Sequence, residues 1–406
     1  MSQLQEYSIR VWVLKDMIAI LTNFGAGFGP FVRTLDLARE IRSDLKKELR
    51  EYIAIVVPWV YGDTQKRIIQ EEVANNTELL NSIFLSKDLG DCLKSLLFNG
   101  NHFNQTLTAI INQYEKQKQK LNSLLKSTLQ VVNLADEVKW LAGSSIRLEV
   151  SRNPVISTPI EYAYYTSIGY STETLQQLLI EQELGSIDYS LIEKALPSVQ
   201  KLESDFRIHF QPKLNSLSFK QESSSLFPSE VTTPPLLRKP AHCSLSIDKG
   251  IYVSLSGISG LNSLYEEAMQ LQVKKYANYN YDGLSPDCIL PPSVVSHHSI
   301  TGIFARAAWN TIWLSNLTQT PLICPEYTEG DNPEIFFNLK TIQKYDLAYT
   351  WRREENSLLD IVNSVAKGKE KTMKKVYRDM KEQFGTLDGI EFCSKRISED
   401  FLEAHA

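Results

Sequence analysis

Arg306-Ala307-Ala308-Trp309-Asn310-Thr311, then Thr320-Pro321-Leu322-Ile323-Cys324-Pro325, then Gly330-Asp331-Asn332-Pro333-Glu334-Ile335-Phe336-Phe337-Asn338 follow one another in the C-terminal half of this 406-residue chain. A turn of small residues opens a helix predicted over 310–317. A proline-marked apolar strand, 322–324, comes next, and it empties into a polar loop that opens a second helix over 333–345. In an α/β protein this order brings two helix N-termini and an acidic, amide-rich loop to one edge of a sheet. Such an edge suits ligands that carry phosphates and ribose hydroxyls.

The same rhythm runs outward in both directions. Upstream, Gly250–Ser256 reads as a strand, Gly257-Ile258-Ser259-Gly260 as a turn, 261–272 as a helix, Val273–Asn280 as strand and loop, and Ile303-Phe304-Ala305 as a short strand. Downstream lie the short Leu347-Ala348-Tyr349 segment and helices over 357–365 and 367–383. Residues 211–250 interrupt the pattern with Ser, Pro and Thr, as a domain boundary does. Before that break the rhythm appears again. Met17–Leu21 is an apolar run of the buried-strand type, Thr22–Pro30 a glycine-rich turn, 31–49 a helix, Ile53–Val57 a second strand and Pro58–Asp63 its exit loop. Helices are predicted over 66–73, 77–85, 90–98, 104–137, 172–184 and 189–205, and a strand over 146–150. The chain is therefore expected to be α/β, with two Rossmann-like doubly wound domains facing across a cleft.

Bulk composition narrows the class. The hydrophobic fraction is 43%, the charged fraction 22% and the net charge −5, so no global basic field points to nucleic acid. Five cysteines stand singly and without a CxxC pair, as reduced thiols in a cytoplasmic protein do. The histidines lack zinc-ligand spacing, so no metal is expected. No signal peptide is expected, and without an apolar run of about 18 residues at most peripheral membrane contact is expected. The Lys- and Gln-rich stretch 114–120 reads as the solvated side of an amphipathic helix, or as a basic face for an anionic membrane or acceptor.

Individual residues carry the chemistry. Asn310 and Thr311 stand at a helix N-terminus, where amides and side chains hold phosphate, or where Asn310 simply caps the helix. Arg306, just before them, has a guanidinium that matches phosphate geometry, or forms a surface ion pair. Trp309 fits a core position or a wall against a base. Asp331, Asn332, Glu334 and Asn338 are candidates for sugar hydroxyls, with Asn332 and Pro333 also suited to start the helix. Gly25, Gly27, Phe28 and Gly29 form a turn that lets a ligand approach the backbone. A dinucleotide site is disfavoured, because Pro30 stands where a third glycine belongs and Val57-Pro58-Trp59 offers no acidic residue. For a general base on an acceptor hydroxyl, Asp63 and Glu161 are the candidates, and His298 is a candidate for donor phosphate.

In these motifs the chain resembles the GT-B glycosyltransferases, in particular the UDP-N-acetylglucosaminyl transferases of peptidoglycan synthesis and their relatives. Their donor motif runs Arg-Ser-Gly-Ala-Leu-Thr, helix, Gly-Leu-Pro, strand and polar loop. Arg306–Thr311, Gln319-Thr320-Pro321, Leu322–Pro325 and Asp331–Glu334 fall in that order here. The resemblance implies an acceptor-binding domain over 1–225, a linker over 226–245 and a nucleotide-sugar-binding domain over 246–385. It also implies a C-terminal helix over 386–406 that packs back on the first domain. The donor would be a nucleotide sugar, most simply a UDP-sugar, used without metal or cofactor, and Gly257 and Ser259 would face it. The acceptor is open: lipid, polysaccharide or small metabolite. Three positions depart from the family. Pro30 ends the glycine loop where relatives often carry His, Ala308 replaces a glycine, and Leu314 occupies the place of a Glu that binds ribose. The alternative is a GT-B-like binding or regulatory subunit without catalysis.

Overall fold

The computed structural model describes residues 13–14, 17–74, 76–97, 102–220, 225–241, 243, 245–255, 261–368 and 370–404. Two sheets organise them. The first contains β1 (Val13–Leu14), β2 (Met17–Phe24), β3 (Tyr52–Pro58), β4 (Ile83–Ser86), β5 (Thr128–Asn133), β6 (Val138–Ala142), β7 (Ile146–Arg152), β8 (Tyr162–Thr166), β9 (Ile208–Pro212) and β10 (Glu230–Thr233). Their order is β1-β6-β5-β4-β3-β2-β7-β8-β9-β10. The pairs β4–β5 and β5–β6 are antiparallel and the others parallel. All eight residues of β2 are buried, as expected of a central parallel strand covered on both faces. The covering helices are α1 (Phe28–Glu48), α2 (Gly62–Val73), α3 (Thr77–Ser82), α4 (Lys87–Lys94), α5 (Phe103–Leu124), α6 (Ser171–Glu181) and α7 (Tyr189–Ser204). On α1 the buried residues Phe31, Leu35, Ala38, Ile41 and Leu45 recur at helical spacing and form the face laid on the sheet.

The second sheet is wholly parallel and ordered β12-β11-β13-β14-β15. Its strands are β11 (Gly250–Val253), β12 (Lys274–Ala277), β13 (Ile300–Phe304), β14 (Leu322–Pro325) and β15 (Tyr349–Trp351). Around it lie α8 (Glu266–Gln270), α9 (Trp309–Thr318), α10 (Pro333–Lys344), α11 (Leu358–Gly368) and α12 (Glu370–Phe384). The last helix, α13 (Gly389–Glu403), returns to the first domain. Its Ile390, Cys393, Ile397 and Phe401 enter that domain's core. Asp400 accepts hydrogen bonds from Tyr164 Oη at 2.6 Å and Arg207 Nε at 2.7 Å. Among the described residues no helix is long and apolar enough to cross a membrane.

Several predicted elements are corrected. The helix expected over 104–137 ends at Leu124, and β5 and β6 follow as an antiparallel hairpin. Leu129 and Val131 are buried at period two in β5, a pattern masked by the amphipathic helix before it. The helix expected over 77–85 stops at Ser82, and Ile83–Ser86 is a strand, an apolar run too short for periodicity to separate from helix. Residues 162–166 and 208–212 are strands that the sequence reading did not include. Glu230–Thr233, inside the expected linker 226–245, pairs with β9 and extends the first sheet. α1 begins three residues early, at Phe28, because Pro30 fits a first helical turn where its missing N–H has no role. The helix expected over 261–272 is a 3₁₀ turn, Asn262–Tyr265, followed by the short α8.

Candidate active site

Within each sheet's run of parallel strands the order reverses beside the first βαβ unit: between β2 and β7 in the first, and between β11 and β13 in the second. Ligands of open α/β sheets bind outside the carboxyl ends of the strands at such points. The carboxyl ends of β2 and β7 lead to Gly25 and Arg152, joined by a Gly25 N–H to Arg152 carbonyl hydrogen bond of 2.9 Å. Those of β11 and β13 lead to Ser254 and Ala305. Ala26–Pro30, Arg152, Ser254, Leu255 and Ala305–Arg306 all line one cleft of about 1690 Å³ between the two domains.

From the second domain, α9 aims its N-terminus at this cleft. Its N-cap is Ala308, with no side-chain cap. Ala308 supplies its carbonyl to Thr311 and Ile312 N–H, and no acceptor among the described residues pairs with the N–H of Trp309 or Asn310. Ala308, Trp309, Asn310, Thr311 and Leu314 line the cleft. An uncapped first turn facing an open cleft presents donors and the positive end of the helix dipole. Trp309 is 1% exposed, and its indole N–H donates to Ser216 Oγ at 2.9 Å, so it anchors α9 against the first domain.

Arg306 also lines the cleft, but part of its guanidinium is engaged: Nη1 donates to Asp331 Oδ1 at 2.5 Å. Asp331 is buried and accepts Asn332 N–H at 2.6 Å, so it aims Arg306 and starts the loop before α10. Asn332 caps α10, its Oδ1 accepting Glu334 N–H at 3.0 Å. Buried Asn338 donates from Nδ2 to the Ala307 carbonyl at 2.7 Å and to Glu334 Oε1 at 3.0 Å. The turn before α9 and the Glu334 carboxyl are thus fixed by one amide. Burial pushes the Glu334 carboxyl up, against the pull of Asn338, Arg306 and Arg152. Asn332 and Glu334 line the cleft; Asp331 and Asn338 support it from behind.

The first domain supplies the opposite wall. Gly27, the N-cap of α1, has φ 98°, which a side chain would strain, and its N–H donates to Tyr61 Oη at 2.8 Å. Phe28 packs on the Tyr61 ring with centroids 5.0 Å apart. Gly29 lies under the Asn310 amide: a Cβ there would come within 2.3 Å of Asn310 Nδ2. Gly25 does not line the cleft; a Cβ on it would meet the Asn153 carbonyl oxygen at 2.4 Å. Arg152 is the residue that sequence reading missed. It ends β7 and reaches Asn310 Oδ1 with Nη2 at 3.0 Å. A lone arginine after a strand carries no signal in one sequence, because its neighbour across the cleft lies 158 positions away.

Three expected site residues stand elsewhere. Asp63 is an exposed first-turn residue of α2 and does not line the cleft. Glu161 is exposed and precedes β8, and His298 is exposed and precedes β13, so both stand at the amino ends of parallel strands whose carboxyl ends face the cleft. Gly257 and Ser259 lie outside the described residues. Among the described residues no cluster of three His, Cys, Asp or Glu side chains is arranged for a metal ion.

No protein-family model matches this sequence, and no curated protein matches it by sequence. The fold does match solved structures. The glycotransferase of kitacinnamycin superposes with a TM-score of 0.53 at 10% identity, over 94% of this chain and 99% of that one. Arabidopsis thaliana UGT89C1 superposes with a TM-score of 0.54 at 11% identity, over 95% and 100%. A UDP-glucosyltransferase from Polygonum tinctorium capable of glucosylating indoxyl gives 0.54 at 10% identity, over 95% and 99%. UGT89C1 has been solved with UDP-L-rhamnose, with UDP and with quercetin. At these identities the likeness is one of fold, and that fold is GT-B: two Rossmann-like domains enclosing a cleft.

Proposed function

We propose that this chain transfers a sugar from a nucleotide sugar, a UDP-sugar, to a hydroxyl-bearing acceptor held by the first domain, without metal or separate cofactor. The observation that carries the reading is the uncapped N-terminus of α9, opening into the interdomain cleft at the topological switch point with Arg306 beside it. In such a transfer the bond between sugar C1 and the diphosphate oxygen breaks, and its electron pair stays on that oxygen. The acceptor oxygen forms the new bond to C1 and releases its proton to solvent. The developing charge on the diphosphate needs fixed donors in a site shielded from bulk water. The N–H groups of Trp309 and Asn310, the Thr311 side chain and the unpaired donors of Arg306 meet that need. Asn332 and Glu334 on the same wall suit hydroxyls of the donor sugar. UDP is favoured because UGT89C1, of the same fold, has been solved with UDP and UDP-L-rhamnose. The motif order from Arg306 to Glu334 supports the nearer likeness to N-acetylglucosaminyl transferases. A small-molecule acceptor is in keeping with the quercetin complex of that neighbour.

A second reading, nucleotide binding without transfer, is favoured by the positions of Asp63 and Glu161 outside the cleft. The test has two stages. UDP, GDP, ADP and dTDP are added in a thermal-shift assay, and UDP is expected to raise the melting temperature most; no rise with any of them overturns both readings. UDP-sugar hydrolysis and transfer to phenolic and sugar acceptors are then measured. UDP binding without turnover of any donor selects the second reading.

A further inference from the structure

Arg152 belongs to the first domain, yet its guanidinium stands at the first turn of α9 in the second. Nη2 donates to Asn310 Oδ1 at 3.0 Å, Nη1 donates to the Leu236 carbonyl at 3.1 Å, and the buried Nε has no acceptor among the described residues. The residue is 3% exposed and lines the cleft. Glu334 and Asp36 are the carboxylates that bear on it electrostatically, and neither forms an ion pair with it among the described residues, whereas Arg33 acts as a like charge. Buried cations are ordinarily paired, because an unpaired charge out of water is costly. Here two positive elements converge instead, Arg152 and the dipole end of α9, while Arg33 close by is already paired with Asp36 at 2.6 Å. Burial lowers the Arg152 guanidinium to about 10, which leaves it charged at neutral pH. The neutral Asn310 oxygen offsets only part of that field.

We infer that Arg152 is a phosphate-binding residue that reaches across the cleft, so that one diphosphate group is held jointly by Arg152 of the first domain and the N-terminus of α9 in the second. The naming of the anion as a nucleoside diphosphate rests on the proposed function; the anion site itself rests on the buried, carboxylate-free guanidinium and the uncapped helix. Because its two halves come from different domains, the anion would tie the domains together, and affinity for the diphosphate would depend on a residue outside the nucleotide-binding domain.

The experiment compares wild type, Arg152→Lys and Arg152→Met for binding of UDP, uridine and inorganic pyrophosphate by calorimetry, with circular dichroism to establish folding. Loss of two charge-assisted hydrogen bonds predicts about a 10- to 100-fold weaker UDP and pyrophosphate affinity in Arg152→Met, an intermediate loss in Arg152→Lys and unchanged uridine affinity. A folded Arg152→Met that binds UDP and pyrophosphate as wild type does overturns the inference and leaves the proposed function standing. If wild type binds pyrophosphate but no nucleotide, and Arg152→Met loses pyrophosphate, the inference holds and the proposed function fails. If wild type binds neither UDP nor pyrophosphate, both fail. Should the variants not fold, a crystal structure of wild type with UDP, or with pyrophosphate, decides. A phosphate oxygen within hydrogen-bonding distance of the Arg152 guanidinium supports the inference, and phosphates held away from it overturn it.

Discussion

Two strand-to-helix passages face each other across the cleft, and they close differently. In the first domain β2 passes through Gly25–Gly27 into α1; in the second β13 passes through Ala305–Ala308 into α9. Neither helix has a side-chain cap. The first passage is tied down from within its own domain: Gly25 N–H to the Arg152 carbonyl, Gly27 N–H to Tyr61 Oη, and Phe28 on the Tyr61 ring. The second is tied from behind, through Asp331 on Arg306 and Asn338 on the Ala307 carbonyl, and the N–H groups of Trp309 and Asn310 stay open to the cleft. The same supersecondary unit thus makes a wall in one domain and a donor array in the other. What separates them is where the hydrogen bonds come from.

The comparison can be broken at several points. Arg306→Ala should have the largest effect. It leaves the buried Asp331 carboxylate without its cation and should cost about 3–5 kcal/mol of stability, read as a fall in melting temperature, and UDP affinity should fall with it. A melting temperature equal to wild type would show that the second passage is not held from behind. Gly25→Ala should cost about 1–3 kcal/mol, since the new Cβ meets the Asn153 backbone rather than a movable side chain; chemical denaturation measures it. Asn310→Ala should weaken UDP binding about tenfold and lower stability by about 1–3 kcal/mol, because it also leaves the buried Arg152 Nη2 without its Asn310 acceptor. Tyr61→Phe should cost about 1 kcal/mol by stranding the Gly27 N–H, and UDP affinity should stay at the wild-type value. If it drops instead, the first passage is part of the donor site and the contrast fails.

A smaller effect concerns Glu149, buried beside the first passage. Its carboxylate accepts hydrogen bonds from Asn23 Nδ2 at 2.8 Å, Ser151 Oγ at 2.5 Å and Thr158 Oγ1. Burial raises its pKa above the ordinary 4.5, against those three hydrogen bonds. With the folded value raised, the unfolded chain releases its proton first, so the folded state binds more protons in the window above 4.5. Glu149 therefore contributes a loss of stability as pH rises from that value toward the raised one. Glu149→Gln should remove this slope in melting temperature against pH, and an unchanged slope would place the titration elsewhere.

The position of the second domain's cleft-lining residues was largely legible in sequence, because its signals are local. Arg306, Asn310, Thr311, Asn332 and Glu334 lie within one strand-helix-strand-helix stretch, and their spacing fixes which edge of the sheet they reach. The first domain was less legible. Its hairpin β5–β6 hid behind a long amphipathic helix. Its candidate bases, Asp63 and Glu161, rest on residue type near strands, and type does not tell which end of the strand faces the cleft. His298 failed for the same reason, standing before β13 rather than after it.

The sequence by itself determined the α/β alternation, the glycine turn and, to within a residue, the start of α9, since each follows from periodicity or turn chemistry within a few residues. Only the tertiary structure decided that Arg306 is braced by Asp331, that Trp309 is an anchor on Ser216, and that Arg152 meets Asn310 across the cleft. The first depends on β13 and β14 lying side by side in one sheet; the other two depend on how the two sheets are set against each other, and contacts between residues 93 and 158 positions apart leave no periodic trace in a single chain.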